Sequence, residues 1–223
     1  MAIGIVGAMG LEIKLIKEKM INVKNYKYAS VEYYKGLLNG VELVLFACGV
    51  GKVNAAIYTQ IMLDKFKIDF VIHTGIAGAM ASHINRGDLV IANDITYHDV
   101  RANQMKSLFP FCESFQCDTK LVSLAKNACE GNFEYHIGRI VTGDCFVANN
   151  TLKNSIKETY NPLCVEMEGA AIAHVCTVNK VPFVVIRCIS DNADDNAKFD
   201  YDEFETFSAN KAASVVNDIV TSL

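Results

Sequence analysis

Short runs of apolar, β-branched residues alternate along this chain with longer stretches in which apolar positions recur at helical spacing. The runs IGIVGAM (3–9), FVIHTGIAG (70–78), GDLVIANDITYHD (87–99), HIGRIVTGDCF (136–146), LCVEM (163–167) and VPFVVIRCISD (181–191) predict strands. Segments 11–20, 52–66, 118–129, 150–160, 168–180 and 202–223 predict helices. In the first of these Leu11, Leu15 and Ile16 fall on one side and lysines on the other. In the second Val53, Ala56, Ile57, Gln60 and Leu63 mark a face. VEYYKGLLNGVELVLFACG (31–49) predicts a hairpin turning at Asn39-Gly40. Residues 100–117 show no period and read as irregular.

Buried strands alternating with helices predict an α/β fold in one domain, residues 1–223, with a mixed, mostly parallel central sheet flanked by helices in three layers. Such sheets bind ligands beyond the carboxyl ends of their strands. Six segments lie there: 7–12, 48–52, 74–78, 143–147, 165–168 and 187–191.

Composition narrows the function classes. At 223 residues and 51% apolar content the chain can bury a core without staples. No apolar run is long enough to span a membrane, and the N-terminal run lacks a basic lead, so it reads as a strand and not a signal peptide. A net charge of −4, with Arg only at 86, 101, 139 and 187, disfavours nucleic acid. The eight cysteines are scattered without CxxC spacing, which points to reduced thiols in a cytoplasm.

Familiar motifs fail in instructive ways. GVGKVN (49–54) has Phe46 where a Walker A loop needs glycine and Val53 where it needs Ser or Thr. DNADD (191–195) lacks the glycine and distal Glu of a calcium loop. What remains is a set of carboxylates at strand ends, Glu12, Glu168 and Asp191, with Arg187 four residues before the last. Each acid alone also fits the first turn of a helix, and Arg187 also fits a buried ion pair.

The blocks IGIVGAMGLEI (3–13), GVGKVNAA (49–56), TGIAG (74–78), GDLVIAND with YHD (87–99), VTGDCF (141–146), VEMEGAAIAHVC (165–176) and VPFVVIRCISDNAD (181–194) follow one another along the whole chain. Together they resemble the 5′-methylthioadenosine/S-adenosylhomocysteine nucleosidases of the purine nucleoside phosphorylase superfamily. The resemblance implies hydrolysis of an adenosyl thioether to adenine and a 5-thioribose product, with no metal and no cofactor. Breaking a ribosyl–purine bond leaves an oxocarbenium-like sugar and a poor leaving group that must be protonated. By resemblance Asp191 is the acid, supported by Ser190, and Glu12 is the base that activates water, with Arg187 helping to hold that water. Glu168 would bind the ribose hydroxyls. Met167 would pack on sugar and base, Met9 and Val50 would wall the sugar and thioether, Phe146 would stack on adenine, and the Val147 backbone would read the purine edge.

Departures from the family pattern stand beside these matches. Ile76 occupies a position that is commonly Ser, Tyr201 an aromatic position usually Phe, and 100–115 replaces a stretch that often reads DVTAFGYE. That stretch typically crosses a homodimer interface to complete the neighbour's thioether pocket, and its Met105, Leu108, Phe109, Phe111 and Phe115 suit a covered surface. The same acids would serve an aminodeoxyfutalosine hydrolase. A phosphorylase fits less well, because Glu12 would repel phosphate, and a non-catalytic sensor would not need all three acids.

Overall fold

The computed structural model describes residues 1–223, the side chain of Ala102 excepted. In chain order the elements are β1 (Ala2–Gly7), α1 (Gly10–Lys19), β2 (Ile21–Tyr28), β3 (Val31–Leu38), β4 (Val41–Ala47), α2 (Lys52–Lys65), β5 (Phe70–Ala79), β6 (Leu89–Tyr97), α3 (Ala102–Ser107), β7 (Phe115–Gln116), α4 (Thr119–Cys129), β8 (Tyr135–Thr142), α5 (Asn150–Tyr160), β9 (Cys164–Glu166), α6 (Gly169–Val178), β10 (Phe183–Asp191) and α7 (Ala197–Thr221). The expected strands and helices all form.

The strands join in one mixed sheet of order β10-β6-β8-β9-β5-β1-β4-β3-β2. β10 also pairs with β5, so β5, β10, β6, β8 and β9 close into a ring from which β1, β4, β3 and β2 extend. The β1–β4, β1–β5, β5–β10, β6–β8 and β8–β9 pairings are parallel. The ring closes through antiparallel β10–β6 and β5–β9 pairings, which an open parallel layer would not contain.

Period-2 alternation divides each strand between two cores. On β1, Ile3 and Ile5 face α1, α4 and α7, while Val6 faces α2 and α6; on β4, Leu43 and Leu45 oppose Val44 and Phe46 in the same way. β5 and β10 are buried at every position, which is why they read as unbroken apolar runs. Ala170, Ala171 and Ala173 let α6 approach the sheet closely.

The hairpin turns at Asn39 (φ 50°) and Gly40 (φ 85°), the paired left-handed residues of a two-residue turn. Three features escaped the sequence pattern. β2 carries five consecutive exposed residues and so has no alternation to reveal it. The irregular stretch contains α3 and β7, each too short to show a period. α7 begins at Ala197, five residues before the expected start, because its polar first turn is anchored by a single buried alanine.

Candidate active site

The carboxyl ends of β1, β5, β9 and β10 surround a cavity of about 450 Å³. Met9, Glu12, Val50, Phe146, Met167, Glu168, Ser190, Asp191 and Tyr201 all line it. These sequence-predicted residues come from six separate stretches of chain. Val147 faces a small annex that also contains Phe146 and Asp191. Arg187 lines neither the cavity nor the annex; it lies fully buried behind the glutamates. Its guanidinium lies against the carboxylates of Glu166, Glu168 and Glu12.

Glu12 opens α1 immediately after β1. Its Oε2 accepts from the Ala8 and Met9 amides at 2.6 and 2.9 Å, and its Oε1 accepts from the Ile76 amide at 3.1 Å. Three backbone donors, two from the β1–α1 turn and one from β5, therefore fix its orientation. The family-atypical Ile76 contributes that amide and an apolar wall. Gly75 beside it is obligatory, since a Cβ there would collide with Glu12 and Arg187.

Glu168 caps the start of α6 and accepts from the Gly51 amide at 2.9 Å. Gly51 sits at φ 97°, so the glycine-rich segment that fails as a phosphate loop instead aims an N–H at this acid. Burial, followed by the nearby Glu166, pushes the Glu168 carboxyl up to about 8, with Arg187 opposing.

Asp191 ends β10 at a register shift against β5. Ser190 Oγ donates to its Oδ2 at 2.8 Å and the Ala193 amide donates to its Oδ1 at 2.8 Å. Burial nevertheless raises its proton affinity above that of an ordinary aspartate, and the two donors only partly offset this. Phe146 meets Tyr201 edge-on with centroids 5.7 Å apart, and the Tyr201 hydroxyl donates to Met9 Sδ at 3.4 Å. The extra phenol of Tyr201 thus finds a partner.

Glu166, His73 and Thr142 were not anticipated. Glu166 is buried and accepts from the Gly169 and Glu168 amides at 2.7 and 3.1 Å, from Thr142 Oγ1 and from Arg187 Nη2. Burial opposes its ionisation, but the Arg187 guanidinium more than offsets that and holds the carboxyl well below the usual range. His73 Nδ1 contacts the Val6 carbonyl at 2.8 Å; burial and then Arg187 depress its proton affinity, so the ring is neutral, donates through Nδ1 and offers Nε2 to Arg187. A histidine inside an otherwise apolar strand was the available signal. His73, Glu166 and Glu168 converge closely enough to hold a metal ion, but Arg187 Nη2 already sits among them, 3.5 Å from Glu168 Oε2. A permanent cation of the chain fills that position.

The arrangement offers a buried acid at one end of a partly apolar cavity, an oriented carboxylate at another, and a third carboxyl between glycine-rich backbone and arginine. The chain matches the phosphorylase superfamily over residues 2–223. It is 41% identical to the 5′-methylthioadenosine/S-adenosylhomocysteine nucleosidase of Halalkalibacterium halodurans, with 96% of each chain covered. The chain belongs to this nucleosidase family. Its fold superposes on the Neisseria meningitidis nucleosidase, solved in complex with methylthio-immucillin-A, with a TM-score of 0.95, 36% identity and coverage of 100% of this chain and 99% of that one. A futalosine hydrolase of Helicobacter pylori is also similar, at 28% identity and a TM-score of 0.93, covering 100% of this chain and 98% of that one. Nucleosidase-family membership accounts for the α/β fold.

Proposed function

We infer that this chain hydrolyses the N-ribosidic bond of 5′-methylthioadenosine and S-adenosylhomocysteine, releasing adenine and the matching 5-thioribose. Full-length similarity to nucleosidases of that specificity, in a chain whose Glu12, Glu168 and Asp191 line one cavity, carries this reading.

The chemistry follows from the environments. Asp191, whose proton affinity burial raises above that of an ordinary aspartate, gives its proton to N7 of adenine. The C1′–N9 bond then breaks with its electron pair going to the base. The aspartate left behind is already faced by the Ser190 hydroxyl and the Ala193 amide, which favours the transfer. Water attacks C1′ and surrenders a proton to Glu12, whose backbone donors aim it. Glu168 binds the ribose hydroxyls, and its carboxylate form stabilises the positive charge that grows on the sugar. Phe146 stacks on the base, the Val147 backbone reads its edge, Met167 packs on sugar and base, and Met9, Val50 and Tyr201 enclose the thioether. Arg187 supports the glutamates from behind.

The protein works as a homodimer in this reading, with 100–115 of each copy completing the neighbour's site. Leu108, Phe109 and Phe111 are 58%, 69% and 68% exposed on one chain, and Val50, Val53 and Ile57 add apolar surface at the start of α2. Eight unpaired cysteines fit a reducing cytoplasm, where the reaction would serve methionine salvage.

Aminodeoxyfutalosine hydrolysis is the second reading, favoured by the similarity to the futalosine hydrolase. Incubation with 5′-methylthioadenosine, S-adenosylhomocysteine and aminodeoxyfutalosine in phosphate-free buffer, with products identified by mass, separates the readings. Adenine plus a thioribose is expected. Turnover that requires phosphate and accumulates a ribose 1-phosphate derivative would overturn hydrolysis.

A further inference from the structure

The backbone after the acid is unusual. Ala193 bears a side chain, is fully buried, and sits at φ 50°, in the left-handed region that favours glycine. Its amide is the donor to Asp191 Oδ1, and a methyl added at Gly78 of β5 would stand 2.9 Å from its Cβ. Such a conformation persists only where its surroundings hold it.

Helix α5 supplies that hold. Lys153 Nζ donates to the Asn192 carbonyl at 2.5 Å. One turn earlier, Asn150 Nδ2 donates to Asp195 Oδ2 at 2.6 Å. Neither Lys153 nor Asn150 lines the cavity, so the brace acts from outside it.

We propose that Lys153 is a positioning residue for the acid: its ammonium fixes the Asn192 carbonyl, keeps the Ala193 amide aimed at Asp191, and places positive charge near the carboxylate left by proton transfer. This rests on the hydrolytic reading, in which the Asp191 proton passes to adenine N7 and the ribosyl bond pair passes to the base.

The charges facing Asp191 come from several elements. Asp194 in its own loop and Asp200 on α7 oppose its ionisation. Burial keeps the Tyr201 phenol on α7 and the Cys164 thiol on β9 protonated. Lys198 on α7 stands at the cavity rim. Lys153 on α5 interacts with both Asp194 and Asp191; burial lowers its own proton affinity and these acids oppose that.

The test measures kcat, KM and the pH dependence of kcat with 5′-methylthioadenosine for the unaltered protein, Lys153→Met, Lys153→Arg and Lys153→Met combined with Ala193→Gly. Lys153→Met should lower kcat about tenfold, within the range of an impaired acid, with KM within about threefold. Without the cation Asp191 holds its proton more tightly, so the alkaline limb of kcat should move up by about half a unit. Lys153→Arg should retain at least about half the activity through its own donors. Ala193→Gly should restore part of kcat in the Lys153→Met background, because glycine adopts the left-handed conformation without a brace.

A Lys153→Met enzyme with unchanged kcat and unchanged alkaline limb overturns the proposal, as does an equal loss in Lys153→Arg. Should Lys153→Met fail to fold, Lys153→Gln is measured in its place, and the direction of its limb decides. Lack of adenine release by the unaltered protein would overturn the hydrolytic reading and this inference together. Normal turnover with an indifferent Lys153 would overturn the inference alone.

Discussion

Asp191 and Glu168 are both carboxyls whose proton affinity is raised mainly by burial, yet their partners differ. Asp191 has two donors waiting for its anion, whereas Glu168 is caught between Glu166 and Arg187. Asp191→Asn removes the transferable proton while keeping the shape. It should lower kcat by about 10²- to 10⁴-fold and leave adenine-analogue binding, measured by calorimetry, largely intact. Near-normal turnover would remove Asp191 from the acid role. The same raised affinities link pH to stability. The folded protein binds the Glu168 proton up to about pH 8 whereas an ordinary glutamate releases it near 4.5, so the folded state holds more protons across that window. This stabilisation is present below the window and is lost as pH rises through it. Between those limits the melting temperature of the unaltered protein should therefore fall relative to that of Glu168→Gln; an identical slope in both proteins would contradict the raised affinity.

Among the elements, β5 does most to assemble the site. It pairs with β1, β10 and β9, and so brings together the strand ends that carry Glu12, Asp191 and the Glu166–Glu168 turn. Its glycines are spaces for those side chains. A Cβ at Gly78 would stand 2.8 Å from Asp191 Oδ1, with β10 and the buried Ala193 leaving little room to yield. Gly78→Ala should cost about 1–3 kcal/mol in denaturant unfolding and depress kcat by displacing the acid. Gly4→Ala on β1 is the contrast. Its Cβ would meet the flexible end of Met62, 2.6 Å from Cε, so the loss should be smaller and confined to stability. Equal effects on kcat would show that Gly78 has no special relation to the site.

For the whole molecule, the exposed aromatic loop is the feature least suited to an isolated chain. Phe109→Asp places a charge where an apolar contact is proposed. Sedimentation should report a shift toward monomer, accompanied by a higher KM for thioether substrates. A fully active monomer of the unaltered chain would contradict the shared site.

Local order was legible wherever one physical pattern dominated. The β-branched runs predicted β1, β5 and β10, the period of apolar residues predicted α4, and Asn39-Gly40 fixed the hairpin turn; α2 forms where expected, but its buried face is Ala55, Thr59 and Met62 and not the expected Val53, Ala56, Ile57, Gln60 and Leu63. Glu12, Glu168 and Asp191 stood out because strand-end carboxylates beside small residues match a family pattern. β2 was hidden because an edge strand exposed on consecutive positions has no alternation.

Strand pairing, ring closure and charge state belonged to the tertiary structure. Nothing along the chain brings His73, Glu166 and Arg187 together, since they lie on β5, β9 and β10 and meet only when the sheet closes. Nor could residue type alone place Arg187 behind the acids, or Lys153 against the loop that follows Asp191. The sequence determined which residue types stand at the strand ends, because hydrophobic period and chain order are local properties. The fold decided their burial and neighbours, because proton affinity and orientation depend on groups far apart in sequence and adjacent in space.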